Sequence, residues 1–335
     1  MPSPAAHGRR VTAAMVAERA GTSIATVSLV VNGKERGRVS PPIAERVRDA
    51  VEALGYVVDH AASTLARGTG DLVVLIAPDL SNPFFAEVIR GVRDTLGDRY
   101  QLVLSVTERG AQPTAADLRR FERLRPAGIL VDAPAAGESM DASVPVVLLD
   151  APDAAEGTTA VDYDLAPGID ALVAHLRDRG HDHVAYLDGT ARVATFGIRH
   201  RMFDEACAAA GITVSETGAR ADLTVDAAAL ATEHVVEAWH EDGVTAVVAA
   251  ADTLAYGVLR VAGAMGLRVP EDLAVAGFDD LPSSSVTAPA LTSVALPGAE
   301  LGRTAALRLL ATIDGTAVEP VDLPARLVPR ASTGA

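Results

Sequence analysis

The amino-terminal fold follows from one stretch, VTAAMVAERAGTSIATVSLVVN at residues 11–32. Its small and apolar residues lie where two short helices must cross at close range. Ala17 falls on the inner face of the first helix, and Val27 and Val30 fall on that of the second. Gly21 falls in the turn, where a positive φ angle costs glycine little. The pattern predicts a helix-turn-helix, with a plain helical hairpin as the alternative.

The outer face of the second helix is free to meet another molecule. We expect Thr12 to cap the first helix and Ser23 to cap the second, since hydroxyl side chains accept hydrogen bonds from free helix N–H groups. The exposed face is where a recognition helix meets the major groove of DNA. The predicted DNA contacts of this region are Thr12, Ser23, Ile24, Ala25, Thr26, Ser28, Leu29, Asn32 and Arg36.

A basic turn and a third helix follow. Residues 33–37, GKERG, are typical of a turn, and its cations, with Arg38, are placed to meet phosphates. The third helix is predicted to begin at Ser40, its N-cap, and to end at Gly55. Its predicted apolar stripe consists of Ile43, Val47, Val51 and Leu54.

The net charge of −15 hides an asymmetry along the chain. Residues 1–68 carry nine Lys or Arg against six Asp or Glu, whereas the remaining residues carry 20 against 38. We call residues 1–68 the head and the remaining residues the body. An acidic body repels DNA phosphates, so affinity for DNA comes from the basic head. Simple solvation of the body is the alternative reason for its acidic residues.

Composition narrows the class of protein. A chain of 335 residues, 49% of them hydrophobic, can bury two or three cores. The single cysteine, Cys207, excludes an internal disulfide and suits a packed helix position, so we expect a cytoplasmic protein. As a DNA-binding protein it is expected to be associated with the nucleoid. No segment reaches the roughly 20 apolar residues that span a bilayer, so no membrane association is expected. We also expect no metal and no cofactor.

From Leu72 onward the pattern changes to short apolar strands separated by amphipathic helices, which is typical of parallel sheets covered on both faces. The predicted strands are LVVLIAPD, YQLVLSVTE, AGILVDAP, VPVVLLDAP, HVAYLDG, TAVVAAAD and LAVAGFDD. The predicted helices include residues 84–96, 167–179, 198–210, 227–240, 253–265 and 299–310. Several strands end in Asp, which places carboxylates at the edge where open α/β sheets bind ligands.

Several longer motifs carry a resemblance to a known family. In the head they are VAERAGTSIATVSLVVNG, VSPPIAERVRDAVEALGY and AASTLARG. In the body they are PDLSNPFFAEVIRGV, HLRDRGHDHVAYLDG, PEDLAVAGFDDLPSS and ALTSVALPGAELG. Together they resemble the lac-repressor-type (LacI/GalR) transcription regulators over nearly the whole chain.

The resemblance implies a domain plan. It divides the chain into a helix-turn-helix headpiece at 9–58, a hinge helix at 59–69 and a two-lobed, periplasmic-binding-protein-like α/β domain at 71–335. The first lobe is expected at about 71–165 with 297–325, and the second at about 166–296 with 326–332. The hinge is too short to be a stable helix alone, which fits ordering against a twin and DNA. Ala62 and Leu65 would enter the minor groove.

A small effector is expected between the lobes. Carboxylates accept hydroxyl hydrogens, a guanidinium donates two, and an aromatic ring covers an apolar face, which suits a carbohydrate, a related polyol or a nucleoside. The predicted effector contacts are Asp79, Phe84, Asp150, Thr195, Arg199, Asp252 and Asp279. Alternatives stay open for several of them. Asp79 and Asp252 suit helix caps, Phe84 suits the lobe core, and Arg199 with Asp279 suits a mutual salt bridge or a solvated turn.

Five positions depart from the family pattern. Ala251 replaces a common Asn, Leu296 a common Gln, and Met202 a small residue. These changes remove polar groups and favour a smaller or less hydroxylated effector than a plain hexose, or one that is bound through fewer hydrogen bonds. In the head, Ala25 and Leu29 replace residues able to read base edges, which leaves thymine methyl contacts, phosphates and the hinge.

Other functions fit less well. No nucleophile elbow, P-loop or dinucleotide motif is present, so catalytic residues are not expected, and an enzyme of sugar metabolism would leave residues 1–68 unexplained. A periplasmic-type solute-binding protein is the stronger rival, which the head argues against. The expected protein is a transcriptional regulator that binds a pseudo-palindromic operator as a homodimer, with a tetramer left open.

Overall fold

The computed structural model describes residues 11–31, 33–56, 70–78, 80, 82–107, 111–155, 157–190, 194–319 and 321–334. The chain forms two compact units, Met1–Gly70 and Asp71–Ala335. The predicted hinge at 59–69, and with it Ala62 and Leu65, lies outside the described residues. Asn32 and Asp79 lie outside them as well.

Three helices form the first unit: α1 (Ala13–Ala20), α2 (Ile24–Val31) and α3 (Pro41–Leu54). Gly21 ends α1 in the left-handed conformation, with φ at 60°, and its N–H bonds back to the last turn. Small side chains let the helices cross closely. The buried core consists of Val16, Ala17, Ala20, Val27, Val30, Ala44, Val47 and Ala50. The predicted helix-turn-helix is confirmed.

The buried face of α3 differs from the predicted stripe. Ala44, Val47 and Ala50 are buried, whereas Val51 and Leu54 pack at the edge of the core. The reason is the close crossing, since an alanine lets two helix backbones approach where a larger side chain would hold them apart. Ser40 does occupy the N-cap position, but its side chain makes no capping hydrogen bond.

The second unit alternates strands and helices. Its strands are β1 (Leu72–Ala77), β2 (Gln101–Val106), β3 (Gly128–Asp132), β4 (Val146–Leu149), β5 (Ala160–Asp164), β6 (His183–Gly189), β7 (Thr213–Val214), β8 (Ala219–Ala221), β9 (Ala246–Ala249), β10 (Ala274–Asp279), β11 (Thr292–Ala295), β12 (Val321–Pro324) and β13 (Arg326–Val328). Its helices are α4 (Phe84–Leu96), α5 (Ala115–Glu122), α6 (Ala166–Asp178), α7 (Ala194–Ala210), α8 (Val225–Glu241), α9 (Asp252–Met265) and α10 (Gly298–Ile313). All six predicted helices are present, with small shifts at their ends.

The strands form two sheets, one in each lobe. The first has the order β12-β5-β4-β3-β1-β2, and the second has the order β13-β11-β10-β9-β6-β7, with β8 beside β6. In each sheet the order reverses next to the first strand, between β1 and β3 and between β6 and β9. Such switch points open a crevice at the carboxyl ends of parallel strands, where ligands bind. The predicted two-lobed core with parallel sheets is confirmed.

Some strands escaped prediction. The strand β13 pairs antiparallel with β11, at the end of a sheet whose other described pairings are parallel. The strands β5 and β12 pair with each other at the edge of the first sheet. Their sequences, AVDYD and VDLP, are too polar for the continuous apolar pattern of a central strand. β12 is the edge strand, which buries less of its surface and tolerates proline. β5 lies between β12 and β4, but only its first two residues are buried, so it also lacks a continuous apolar run.

The helices α4 and α10 approach at backbone distance in the first lobe. A Cβ atom at Gly91 would lie 2.0 Å from the carbonyl oxygen of Ala299, and one at Gly302 would lie 2.0 Å from that of Val88. Only glycine allows this contact on both sides. Elsewhere in the core, Cys207 is buried on α7, and burial raises the pKa of its thiol to about 12, as suits a packing position.

No single helix among the described residues is both long and apolar enough to cross a membrane.

Candidate functional site

The head presents a capped second helix with an exposed outer face. The Thr12 hydroxyl oxygen accepts from the N–H of Met15 at 3.4 Å, and the Ser23 Oγ accepts from the N–H of Thr26 at 3.1 Å. Ile24 is 54% exposed despite its apolar side chain. Of the other predicted contacts, Ala25, Ser28 and Arg36 are exposed, and Thr26 and Leu29 are half-buried. The exposed side chains of α2 therefore leave its outer face free to meet another molecule.

An ion pair holds the basic turn against the third helix. The carboxylate of Glu35 lies 2.8 Å from the Arg48 guanidinium, and Arg46 donates to the carbonyl oxygen of Ala20. Lys34 and Arg36 flank Glu35 and are exposed. The turn therefore presents its cations to solvent, while Glu35 faces α3. The sequence pattern gave no sign of this acidic anchor.

A hydrogen bond joins the two lobes at the carboxyl ends of the strands. Asp150 follows β4 in the first lobe and has a positive φ of 48°, which is strained for a non-glycine residue. Thr195, on α7 of the second lobe, donates from its hydroxyl to the Asp150 Oδ2 at 2.9 Å. Thr195 is 5% exposed. Two predicted effector residues from different lobes are thus brought together in a cleft.

A second pair lies in the same cleft. Arg199 on α7 donates from Nη1 to the carbonyl oxygen of Ala250 at 3.0 Å and to the Asp279 Oδ1 at 3.4 Å. The guanidinium carbon lies 5.6 Å from the ring centres of both Phe196 and Phe278. The mutual salt bridge considered from the sequence is therefore present. It is buried, since the two side chains are 6% and 4% exposed.

Buried polar atoms without a hydrogen-bond partner are concentrated here. Arg199 is bonded through Nη1 but its Nε is not, and the second carboxylate oxygen of Asp279 is also unpartnered. Native proteins rarely bury polar atoms unpaired, so such a group marks a place where a polar ligand or an ordered water completes the bonding. In the described part of the chain, the unpartnered atoms in or next to the cleft are Asp132 Oδ1, Tyr163 OH, Arg199 Nε and Asp279 Oδ2.

Burial sets the protonation of the cleft carboxyls. It raises the pKa of Asp279 to about 7, although the neighbouring Arg199 lowers it. It also raises the pKa of Asp150, and it raises the pKa of Asp132 well above the usual range, with further repulsion from Asp150. The cause is desolvation, which disfavours a carboxylate held away from water. Among these carboxyls, Asp279 therefore changes its protonation near neutral pH.

This gives a prediction for stability against pH. Asp279 has a pKa of about 7 in the folded chain but an ordinary pKa of 3.8 in the unfolded one, so the folded chain binds more protons between these values. Stability is then lost as the pH rises through the folded pKa. We expect the unfolding temperature to fall between about pH 5 and about pH 8, and Asp279→Asn to reduce that slope. Thermal unfolding of both proteins across this pH range measures the slope of unfolding temperature against pH. The same slope in Asp279→Asn and wild type would show that Asp279 is not the group responsible.

Asp252 braces a loop beside the cleft. It is completely buried at the first position of α9. Its Oδ2 accepts from the N–H of Leu281 and the hydroxyl of Ser284, and its Oδ1 accepts from the hydroxyl of Ser293. The side chain therefore does not act as the cap of α9 considered from the sequence. A carboxylate bonded in this way has little to offer a ligand, and effector contact by Asp252 stays a prediction.

Phe84 occupies a boundary position. It is 8% exposed and packs edge-on against Phe85, with ring centres 5.7 Å apart. It also lines a cavity of about 490 Å³ that contains Asp279 and Leu296. Phe84 can therefore pack in the core of the lobe and also touch a ligand. Effector contact by Phe84 stays a prediction.

Two cleft residues were missed from the sequence. Asp132 ends β3, so the rule that strand-terminal aspartates collect at the binding edge already contained the signal. Tyr163 lies in β5, whose polar pattern had hidden the strand itself. Both bring polar groups to a cleft in which Ala251, Leu296 and Met202 had suggested a loss of them. The inference of a less hydroxylated effector is weakened accordingly.

Comparisons with known proteins agree with this geometry. A model of bacterial regulatory proteins of the lacI family matches residues 8–59, and a model of the periplasmic binding protein-like domain matches residues 173–333. The HTH-type transcriptional regulator CelR of Thermobifida fusca is 33% identical over 94% of this chain and 95% of its own. Catabolite control protein A of Priestia megaterium is 32% identical over 96% of this chain and 99% of its own.

Solved structures show the same architecture. The lac repressor dimer bound to operator and the anti-inducer ONPF aligns with a TM-score of 0.82 at 27% identity, covering 98% of this chain and all of that one. A complex of CelR with cellobiose aligns with a TM-score of 0.67 at 30% identity, covering 96% of this chain and all of that one. With a helix-turn-helix head and a two-lobed core over the same residues, this chain belongs to the lacI family of DNA-binding bacterial transcription regulators.

Proposed function

We propose that this regulator is a repressor that binds a pseudo-palindromic operator as a homodimer. Its affinity for the operator falls or rises when a small polyhydroxylated effector enters the cleft between its lobes. It acts in the cytoplasm, where operator DNA lies. One head offers few base contacts, so two heads related by a two-fold axis are needed for a specific site.

The observation that carries the effector part of the proposal is the set of unpartnered polar atoms in the cleft. They come from both lobes, since Asp132 and Tyr163 lie on the first sheet and Arg199 and Asp279 on the second lobe. A ligand that bonds to both sets favours the closed arrangement of the lobes over the open one. That difference in affinity is what a conformational switch requires.

The relatives support a sugar-like effector. CelR was solved with cellobiose, and the lac repressor with operator and ONPF. Asp150, Thr195, Arg199 and Asp279 supply the carboxylates, hydroxyl and guanidinium that bind hydroxyl groups. Phe84 would complete the set, together with Asp79 from outside the described residues.

The head and hinge supply the DNA part of the proposal. Ile24, Ala25 and Leu29 offer apolar contacts to thymine methyl groups, and Ser28 a polar one. Asn32, together with Ala62 and Leu65 of the hinge, would add contacts in the segments outside the described residues. The relatives named above are regulators and not enzymes.

Footprinting on operator fragments, combined with sedimentation at the same concentrations, tests the proposal. We expect protection of two half-sites and the mass of a dimer or a dimer pair. Protection of one asymmetric half-site by a monomer would overturn it. A solute-binding protein, the alternative function, would give no footprint at all.

The basic turn allows a separate prediction. Replacing Arg36 with alanine should weaken binding to all DNA sequences alike and lower the slope of log affinity against log salt by about one unit, because one phosphate contact is lost. Arg123→Ala, at an exposed position of the acidic body, is the matched control and should leave the slope unchanged. An equal slope for Arg36→Ala and wild type would place Arg36 away from the phosphates.

A further inference from the structure

The cavities around the cleft are strongly acidic. One cavity of about 490 Å³ between the lobes contains the cleft residues Asp150, Tyr163 and Thr195. Its lining includes four carboxylates and no Lys, Arg or His among the described residues. The four are Asp150, Asp162, Asp164 and Asp322.

The neighbouring cavities repeat this imbalance. A cavity of about 620 Å³ beside the first sheet also contains Asp150 and Thr195. Its described lining again has four carboxylates and no cation, namely Glu138, Asp141, Asp150 and Asp153. The cavity on the far side, which contains Phe84 and Asp279, has four carboxylates against Arg330. Low-dielectric walls of one charge sign raise the local concentration of ligands of the opposite sign.

A buried carboxyl that lies close enough to Asp150 to repel it electrostatically supports the same conclusion. Asp132 is 2% exposed, and its Oδ1 has no hydrogen-bond partner. No ion pair of Asp132 is present within the described residues. The cation of the cleft, Arg199, is already paired with Asp279 at 3.4 Å. Asp132 therefore has no cationic partner among the described residues, although a buried carboxylate needs one or else takes up a proton. Asp150 accepts a hydrogen bond from Thr195 and is stabilised electrostatically by Arg199, but it makes no ion pair within the same part of the chain.

We propose that the effector carries a protonated amine, which binds the carboxylates of Asp132 and Asp150, on a polyhydroxylated frame whose oxygens accept from Arg199 Nε. An amino sugar has this chemistry. An ammonium group has three donors and no acceptor, which matches neighbouring carboxylates better than a hydroxyl does. This inference rests on the proposed function and names the ligand class of the same cleft.

Matched probes separate a charged ligand from a neutral one. D-glucosamine, D-glucose and N-acetyl-D-glucosamine differ at a single ring position, as do the three corresponding galactose compounds. We expect an amine to raise the thermal unfolding temperature of the full chain more than its neutral and acetylated partners do. An equal or larger rise with a neutral or acetylated partner, or no rise with either amine, would overturn the proposal.

Charge variants locate the effect. Asp132→Asn keeps the size of the side chain but cannot form the carboxylate that an ammonium group would stabilise, so affinity for the amine in calorimetry should fall about tenfold or more, with a smaller change for the neutral sugar. Asp98→Asn makes the same change at an exposed position in the same lobe and should leave both affinities unchanged. A loss that is equal for amine and neutral sugar would show that Asp132 does not meet a cation. Circular dichroism shows that each variant is folded.

The two proposals fail in different ways. If a neutral sugar binds as well as its amine and shifts operator affinity, the regulator function stands and the amine inference falls. If the chain gives no footprint on any operator, the proposed function falls, whatever binds in the cleft.

Discussion

Replacing Arg199 with alanine is expected to abolish the response of operator affinity to the effector. Arg199 is 5% exposed and contributes the cation of the cleft, with an unpartnered Nε. Couplings between effector and operator are typically about 1–3 kcal/mol, so a wild-type shift of roughly 5- to 150-fold should approach one. Operator titrations with and without effector measure this. Affinity for operator without effector should change little, because the head is untouched.

The loss of Arg199 also affects Asp279. Without the neighbouring guanidinium the pKa of Asp279 rises further, so this carboxyl stays protonated near neutral pH and no unpaired charge is buried. The variant should therefore fold. Arg201→Ala is the matched control, since Arg201 lies two positions along the same helix, is 63% exposed and pairs only loosely with Glu205 at 3.9 Å. A full effector response in Arg199→Ala would show that the signal enters elsewhere.

Replacing Gly302 with alanine is expected to destabilise the first lobe severely. The new Cβ would lie 2.0 Å from the Val88 carbonyl oxygen and 3.0 Å from the Val92 nitrogen. Both are backbone atoms, so neither can rotate away, and α4 and α10 must separate. Overpacking typically costs about 1–3 kcal/mol, and a backbone clash should cost the upper end or more. Thermal or urea unfolding of the full chain measures the loss.

Gly263 provides the control for helix propensity. It lies in α9, and a Cβ added there would meet no heavy atom within 4 Å beyond its own stretch of helix, so Gly263→Ala should stabilise the chain by about 0.5–1 kcal/mol. Gly302→Ala should lower the stability of the chain and Gly263→Ala should raise it. Opposite changes in stability distinguish a close-packing effect from an effect of backbone entropy. If Gly302→Ala were as stable as wild type, the contact between α4 and α10 would be looser than the structure has it.

Much of the local structure could be predicted because its causes lie close together in the sequence. Thr12, Gly21 and Ser23 act on backbone groups within a few residues, so cap and turn chemistry identified the head helices. The helix α4, Phe84–Leu96, matched its prediction at both ends. Continuous apolar runs likewise revealed the central strands. Edge strands such as β12 did not follow this rule, since exposure on one side removes the need for apolar residues.

The role of a side chain was harder to predict than the element that carries it. Asp252 and Asp279 both lie at strand ends in similar sequence contexts, AAAD and AGFDD. The first is bonded by Leu281, Ser284 and Ser293, which are 29 to 41 residues away. The second keeps an oxygen without a partner in the cleft. Sequence position alone does not distinguish a carboxylate that braces a loop from one that is available to a ligand.

The sequence by itself determined the helix-turn-helix, the α/β alternation and the family, because caps, turns and hydrophobic periodicity are local and leave a readable pattern. Only the tertiary structure decided which polar groups share the cleft. Thr195 meets Asp150 across 45 residues, and Arg199 meets Asp279 across 80. Tyr163 adds another unpartnered polar group, although the polar sequence of β5 gave no sign of the strand that carries it. Burial and charge balance depend on how two sheets pack together, so the acidic character of the cleft becomes visible only when distant strand ends are brought to one place.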